Sequence, residues 1–172
     1  MATNWSPFEG IAELIASTPL PALQSAGGAK AVKVDGELTT VGSKNFDAVF
    51  RTRAKELTVP GTLYIVQLHQ KIDGTALRKL LEERKATDVA LKQLFAALQL
   101  HASGKAVLLS EEVDIRNRCF CKNARGTVYA VELARTAPGR WCFSTPDPHE
   151  PKNLGGIWPK GTFVLTLDPD KK

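Results

Sequence analysis

Ile115-Arg116-Asn117-Arg118-Cys119-Phe120-Cys121-Lys122-Asn123-Ala124-Arg125-Gly126-Thr127-Val128-Tyr129-Ala130-Val131-Glu132-Leu133-Ala134 is the stretch whose reading decides the fold. Two runs with strand character flank a short polar loop containing glycine, which predicts an antiparallel hairpin. On the first strand Arg116, Arg118, Phe120 and Lys122 share one face, and Asn117, Cys119 and Cys121 share the other. On the returning strand Tyr129, Val131 and Leu133 face one way, and Val128, Ala130 and Glu132 the other. Pairing Lys122 with Val128 joins both cysteines to Tyr129, Val131 and Leu133 in a core and sets Arg118 beside Glu132. A slip of one residue would drive arginines among those apolar side chains, and each unpaired buried charge would cost several kcal/mol. The first register is therefore expected, with a loop over residues 123–127 and a charged solvent face of Arg116, Arg118, Phe120 and Lys122.

The segments after the hairpin read as more sheet. Strands are expected over residues 140–144 and 162–167, separated by a stretch over residues 146–161 that is rich in Pro and Gly and contains Trp158. Before the hairpin, residues 106–109 read as a short strand. Two helices precede that strand. Asp73 caps one carrying Leu77, Leu80 and Leu81, and Thr87 or Asp88 caps another with Leu91, Leu94, Phe95 and Leu98. Gly104 sits where a helix-terminating glycine belongs, and the two helices are expected to form the helical heart of the domain. Residues 62–68, Thr-Leu-Tyr-Ile-Val-Gln-Leu, are nearly continuously apolar, as in a central strand covered on both faces.

Nearer the N-terminus, a helix over about residues 44–56 is expected to bury Phe46, Val49 and Phe50. A hairpin over residues 31–41 turns at Asp35-Gly36. Ser6-Pro7-Phe8-Glu9 resembles a capping box, and Phe8, Ile11, Ala12 and Ile15 follow at helical spacing, so a helix is expected until Thr18-Pro19. The fold class expected is α+β: an antiparallel or mixed sheet with flanking helices and a β-rich C-terminal half. Residues 1–172 are expected to form one domain, with a candidate seam near Gly104.

The chain of 172 residues has room for one substantial core. Hydrophobic residues at 43% and charged residues at 24% disfavour disorder, collagen-like repeats and coiled coil. No apolar run is long enough to span a bilayer as a helix. The first residues lack the charged and apolar regions of a signal peptide. Asn4-Trp5-Ser6 matches a glycosylation sequon, but Pro7 follows it. The three cysteines, Cys119, Cys121 and Cys142, are read as free thiols in a reducing, cytoplasmic setting.

Charge distribution carries the functional expectation. Residues 116–140 hold six basic side chains against Glu132 alone, a surplus equal to the whole net charge of +5. A localised basic patch implies an anionic partner. The expected function is non-catalytic binding of such a partner, nucleic acid first, through the basic hairpin. Arg116, Arg118, Lys122, Arg125 and Arg140 are the expected phosphate contacts, and Phe120 and Trp141 are expected to stack on bases. Basic side chains also protect sheet edges from aggregation, so the same pattern fits a solvated edge.

The alternative is a protein-interaction module, an inhibitor or adaptor anchored by Trp141, Trp158 and the Pro-rich segment. A third reading is an enzyme using Cys142 and His149, with Asp147 or Glu150 orienting the histidine. The two leucine-rich helices have the order of a helix-turn-helix, yet Lys92 is the only basic residue on the second. Cys119, Cys121, Cys142 and His149 lack zinc-ligand spacing, so no metal and no cofactor is expected. His69 and His101 read as structural. No phosphate-binding loop, dinucleotide fingerprint or nucleophile elbow occurs.

Overall fold

The computed structural model describes residues 10–20, 39–50, 60–86, 88–102, 104, 109–112, 114–138, 140–146 and 154–169. Within them, β1 (Ala12–Leu20), β2 (Thr39–Gly42), α1 (Lys44–Val49), β3 (Gly61–Leu68), β4 (Ile72–Asp73), α2 (Gly74–Glu83) and α3 (Leu91–Ala102) precede the C-terminal sheet strands. These are β5 (Asn117–Lys122), β6 (Val128–Ala137), β7 (Arg140–Ser144), β8 (Ile157–Trp158) and β9 (Phe163–Pro169). Seven strands form one sheet in the order β1-β3-β9-β5-β6-β7-β2, and β4 pairs with β8 in a two-stranded ribbon. The β5–β9 and β2–β7 pairs are parallel and the others antiparallel. The fold is thus α+β with a mixed sheet, as expected. Strands from before and after Gly104 share the one sheet, since β3 pairs with β9 and β2 with β7.

The sheet is covered on both faces. Side chains alternate along each strand, and the alternation sorts them into two cores. Leu63, Ile65, Cys119, Cys121, Val131, Leu133, Trp141, Phe143 and Leu165 pack with Phe46 and Phe50 and with Leu94, Ala97 and Leu98 of α3. Val66, Leu68, Phe120, Ala130 and Val164 pack on the other face with Leu77 and Leu81 of α2 and with Trp158. Strand β3 is apolar on both sides because it feeds both cores, although it lies one strand in from the edge. The expectation of a joint helical heart is corrected: α2 and α3 sit on opposite faces of the sheet.

Local sequence explains the helix starts. Asp73 accepts from the backbone N–H of Thr75 (2.9 Å) and of Ala76 (3.3 Å), which caps α2. The Ser43 hydroxyl accepts from Phe46 N–H at 3.2 Å and caps α1. Beyond Phe50, the expected continuation of that helix lies outside the described residues. Ahead of α3, the Gln93 side chain accepts from Ala90 N–H at 2.9 Å. Asp88, one of the two expected caps, instead faces Arg78 (3.3 Å) and Lys122 (3.8 Å). Gly104 adopts φ +67°, the left-handed conformation expected after a helix.

One expected element is overturned. Residues 12–20 form strand β1, not the end of a helix. The strand pairs antiparallel with β3, with a bulge between Leu14 and Ala16. Backbone pairing to β3 outweighs the helical spacing of Ile11, Ala12 and Ile15, a tertiary override of local pattern. Thr18 suits a strand, and Pro19 is tolerated because β1 is an edge strand. The capping-box residues 6–9 lie outside the described residues. So do residues 31–38 of the expected hairpin and residues 106–108 of the expected strand. No helix among the described residues is long and apolar enough to cross a membrane.

Candidate nucleic-acid interface

The β5–β6 hairpin adopts the expected register. Lys122 opposes Val128, Cys119 opposes Val131 and Arg118 opposes Glu132. The five-residue loop closes through Asn123 N–H to Thr127 C=O (2.9 Å). The Asn123 side chain accepts from the N–H groups of Arg125 and Thr127, both at 3.0 Å. Gly126 takes φ +80°, which a residue with a Cβ adopts only under strain. This turn chemistry holds Arg125 exposed at the hairpin tip.

The start of β5 is locked by a buried asparagine. Asn117 is fully buried. Its side-chain oxygen accepts from Ser110 N–H (2.8 Å), and its amide donates to the carbonyls of Ser110 (2.9 Å) and Leu133 (3.1 Å). These bonds tie the segment before β5 to β6 and fix where Arg116 and Arg118 emerge.

On the second face of the hairpin, Glu132 is a shared acid. Arg118 donates to its Oε2 through Nε and approaches it through Nη2, both at 2.9 Å. Arg116 Nη1 stands 3.4 Å from Oε1. Two cations on one carboxylate leave a local excess of positive charge. The Arg118 guanidinium also stands 5.5 Å from the centre of the Trp158 ring, within cation–π range. Arg116 and Lys122 have about half of their side-chain surface exposed, at 45% and 58%, whereas Arg118 keeps 18%. Arg125 and Arg140 are exposed and make no ion pair among the described residues.

Two members of the expected site do not stand on solvent. Phe120 is 2% exposed, because Trp158 covers it with ring centroids 4.8 Å apart. Trp141 is also 2% exposed. It follows Arg140 in β7, so the two side chains must point to opposite faces. Trp141 enters the first core, where the His101 ring meets it edge-on at 5.5 Å. As placed, neither ring offers a face to a base. Trp158 is fully buried too, so the expected aromatic anchors of an interaction module are core residues. Their indole rings serve packing, and the Trp158 N–H donates to Leu154 C=O at 2.9 Å.

The sequence reading missed a cleft beside the arginines. A cavity of about 210 Å³ is lined by Arg118 and Glu132, by Ser144, Thr145 and Pro146 where β7 ends, and by Gly155. The period-two alternation of β7 was the available signal. It places Arg140, Cys142 and Ser144 on the face opposite Trp141 and Phe143. Ser144 pairs with Glu132 across β6 and β7, which brings the end of β7 to the arginine cluster.

The cysteines carry no sign of activation. Cys119 and Cys121 are buried free thiols with their sulfurs 3.6 Å apart. The hydrogen bond with Cys119, followed by burial, raises the Cys121 thiol well above its ordinary value. Burial first, then Glu132 and Asp47, raise the Cys142 thiol. The reactive species is the thiolate, so this environment opposes the nucleophile that the enzymatic reading requires. His149, Asp147 and Glu150 lie outside the described residues. Among the described residues, no three His, Cys, Asp or Glu side chains gather as a metal site. His101 pairs with Glu111 at 2.9 Å and accepts from Leu109 N–H at 3.4 Å, a structural arrangement. α2 and α3, on opposite faces of the sheet, do not form a helix-turn-helix unit.

Set against known protein families, curated proteins and solved structures, the chain matches none.

Proposed function

We propose that this protein is a non-catalytic binder of an anionic partner, nucleic acid first. It contacts the partner through phosphates rather than bases. The observation that carries the reading is the paired arrangement of Arg116 and Arg118 on one carboxylate, with Arg116 and Lys122 about half exposed, Arg125 exposed at the hairpin tip and Arg140 exposed at the start of β7. Lysine and arginine side chains that displace condensed counterions give binding that is independent of sequence and sensitive to salt. With Phe120 and Trp141 buried, the stacking role expected of them falls away. Phosphate contact remains, and it orients a strand without reading it.

The test is fluorescence anisotropy with a labelled single-stranded oligonucleotide at low salt. The Arg116→Glu, Arg125→Glu double variant is expected to weaken binding about a hundredfold, because two favourable charges become two repulsive ones. Unchanged affinity in that variant would sink the proposal, as would no binding by the parent protein.

A further inference from the structure

We propose that the cleft beside Arg118 is a binding site for one phosphate monoester group. The inference deepens the binding reading above, because it assigns a specific seat to one phosphate next to the basic strip. Its chemistry rests on two orphaned polar atoms. Arg118 Nη1 and Thr145 Oγ1 are both shielded from solvent, and neither has a hydrogen-bond partner among the described residues. Thr145 is 9% exposed and Arg118 keeps 18% of its side-chain surface. Both residues line the same cavity of about 210 Å³.

Buried polar groups without partners are rare and call for a cause. Here the geometry supplies one. Glu132 takes the Nε and Nη2 side of the Arg118 guanidinium, and the Trp158 ring lies against the group. The guanidinium is thereby fixed, and the two N–H groups on Nη1 are left over. Ser144 ends β7 and Thr145 follows it, and both line the cavity across from Arg118 of β5. Donor-bearing residues therefore flank the cavity from strands that are second neighbours in the sheet. Glu132 in between does not exclude an anion, since Arg116 and Arg118 together outweigh its charge.

The ligand chemistry follows from size and donor set. The cavity is smaller than the roughly 300–1,000 Å³ typical of sites for drug-sized ligands, so it admits a single small group. That group must accept from a fixed guanidinium and from hydroxyls on the opposite wall. A tetrahedral phosphate offers three terminal oxygens for this and carries the charge that an excess cation favours. Gly155 forms part of the wall at φ +86°. A Cβ there would lie 2.9 Å from Trp158 Nε1 and 3.0 Å from the Ala130 Cβ, so glycine lets this wall close over the indole.

The test is an NMR titration of the full chain with inorganic phosphate, reading the Thr145 amide and the Arg118 Nε–H signals. Saturable shifts are expected, with acetate at matched ionic strength giving none. Thr145→Val keeps the shape and removes the hydroxyl, and is expected to weaken phosphate binding about tenfold; Thr145→Ser is expected to restore it. No saturable shift with phosphate overturns the site, as does an equal response to acetate or an unaffected Thr145→Val variant. A second arm compares a 5′-phosphorylated oligonucleotide with its 5′-hydroxyl twin. Tighter binding of the phosphorylated strand assigns the phosphate to a nucleic-acid end. Equal binding of the two strands, with inorganic phosphate still saturating the cleft, assigns it to a small phosphate ester. Failure of the phosphate titration leaves oligonucleotide binding by the basic strip standing, so the two readings fail separately.

Discussion

One face of the β5–β6 hairpin sends Cys119, Cys121, Val131 and Leu133 into a core where each is at most 1% exposed. The opposite face is divided. Phe120 and Ala130 are buried under Trp158 and α2, while two strand positions along from Phe120 Arg118 meets Glu132 at the edge of an open cleft. Both faces come from the same two strands in the same register. The difference lies in what covers them. The first face is sealed by α1 and α3. The second is sealed only as far as Trp158 reaches, and where it stops the sheet becomes polar. A strand face is thus not a functional unit. The boundary of its cover decides which residues pack and which stay open to solvent.

The largest test of that boundary is Trp158→Ala. Trp158 is fully buried against Phe120, so removing it should cost about 4 kcal/mol in urea denaturation, in the range for large aromatic truncations in cores. A loss under about 1 kcal/mol, as for a surface position, would mean that the second face has no sealed half.

A second variant probes how the boundary is positioned. Asn117→Ala strands the backbone groups that its side chain satisfies at Ser110 and Leu133, and should cost about 3 kcal/mol. Equal stability to the parent would show that this junction does not hold the start of β5.

The sealed first face also predicts a pH effect. The Cys121 thiol is raised above its ordinary value by its hydrogen bond with Cys119 and by burial. Above that ordinary value, near 9.0, the unfolded chain gives up this proton while the folded chain keeps it. Stability should therefore fall as pH rises past 9, by up to about 1.4 kcal/mol per pH unit. In Cys121→Ala the alkaline slope should be shallower. An identical slope in the variant would remove Cys121 as its source.

The smallest effects belong to the exposed arginines at the hairpin tip and at the start of β7. Arg125→Ala and Arg140→Ala should each change stability by no more than about 0.5 kcal/mol, measured on the same denaturation scale. A larger loss would place these arginines in the architecture instead of on a binding surface.

The hairpin register was legible because burying arginines is too costly for the alternative pairing, and Arg118 opposite Glu132 follows from it. The cap at Asp73 and the two-sided burial of β3 were legible for similar local reasons. The cover over Phe120 was not. It depends on Trp158, 38 residues further on, folding back in β8 to pair with β4. No periodicity within the hairpin encodes that return. β1 was misread because its partner β3 lies more than 40 residues away in the chain, while the spacing of Ile11, Ala12 and Ile15 is local. Trp141 was different, since alternation alone separates it from Arg140. The pairing of Arg118 with Glu132 and the inward turn of Trp141 were therefore readable in sequence, and the burial of Phe120 required the tertiary structure.

The most direct test of the central claim is the salt dependence of oligonucleotide binding. The logarithm of the association constant should fall linearly with the logarithm of salt concentration, and each of Arg116→Ala, Lys122→Ala, Arg125→Ala and Arg140→Ala should make the slope shallower by about 0.7, the value for one phosphate contact on a single strand. A slope that is flat in the parent protein, or unchanged in all four variants, would contradict phosphate contact through this strip.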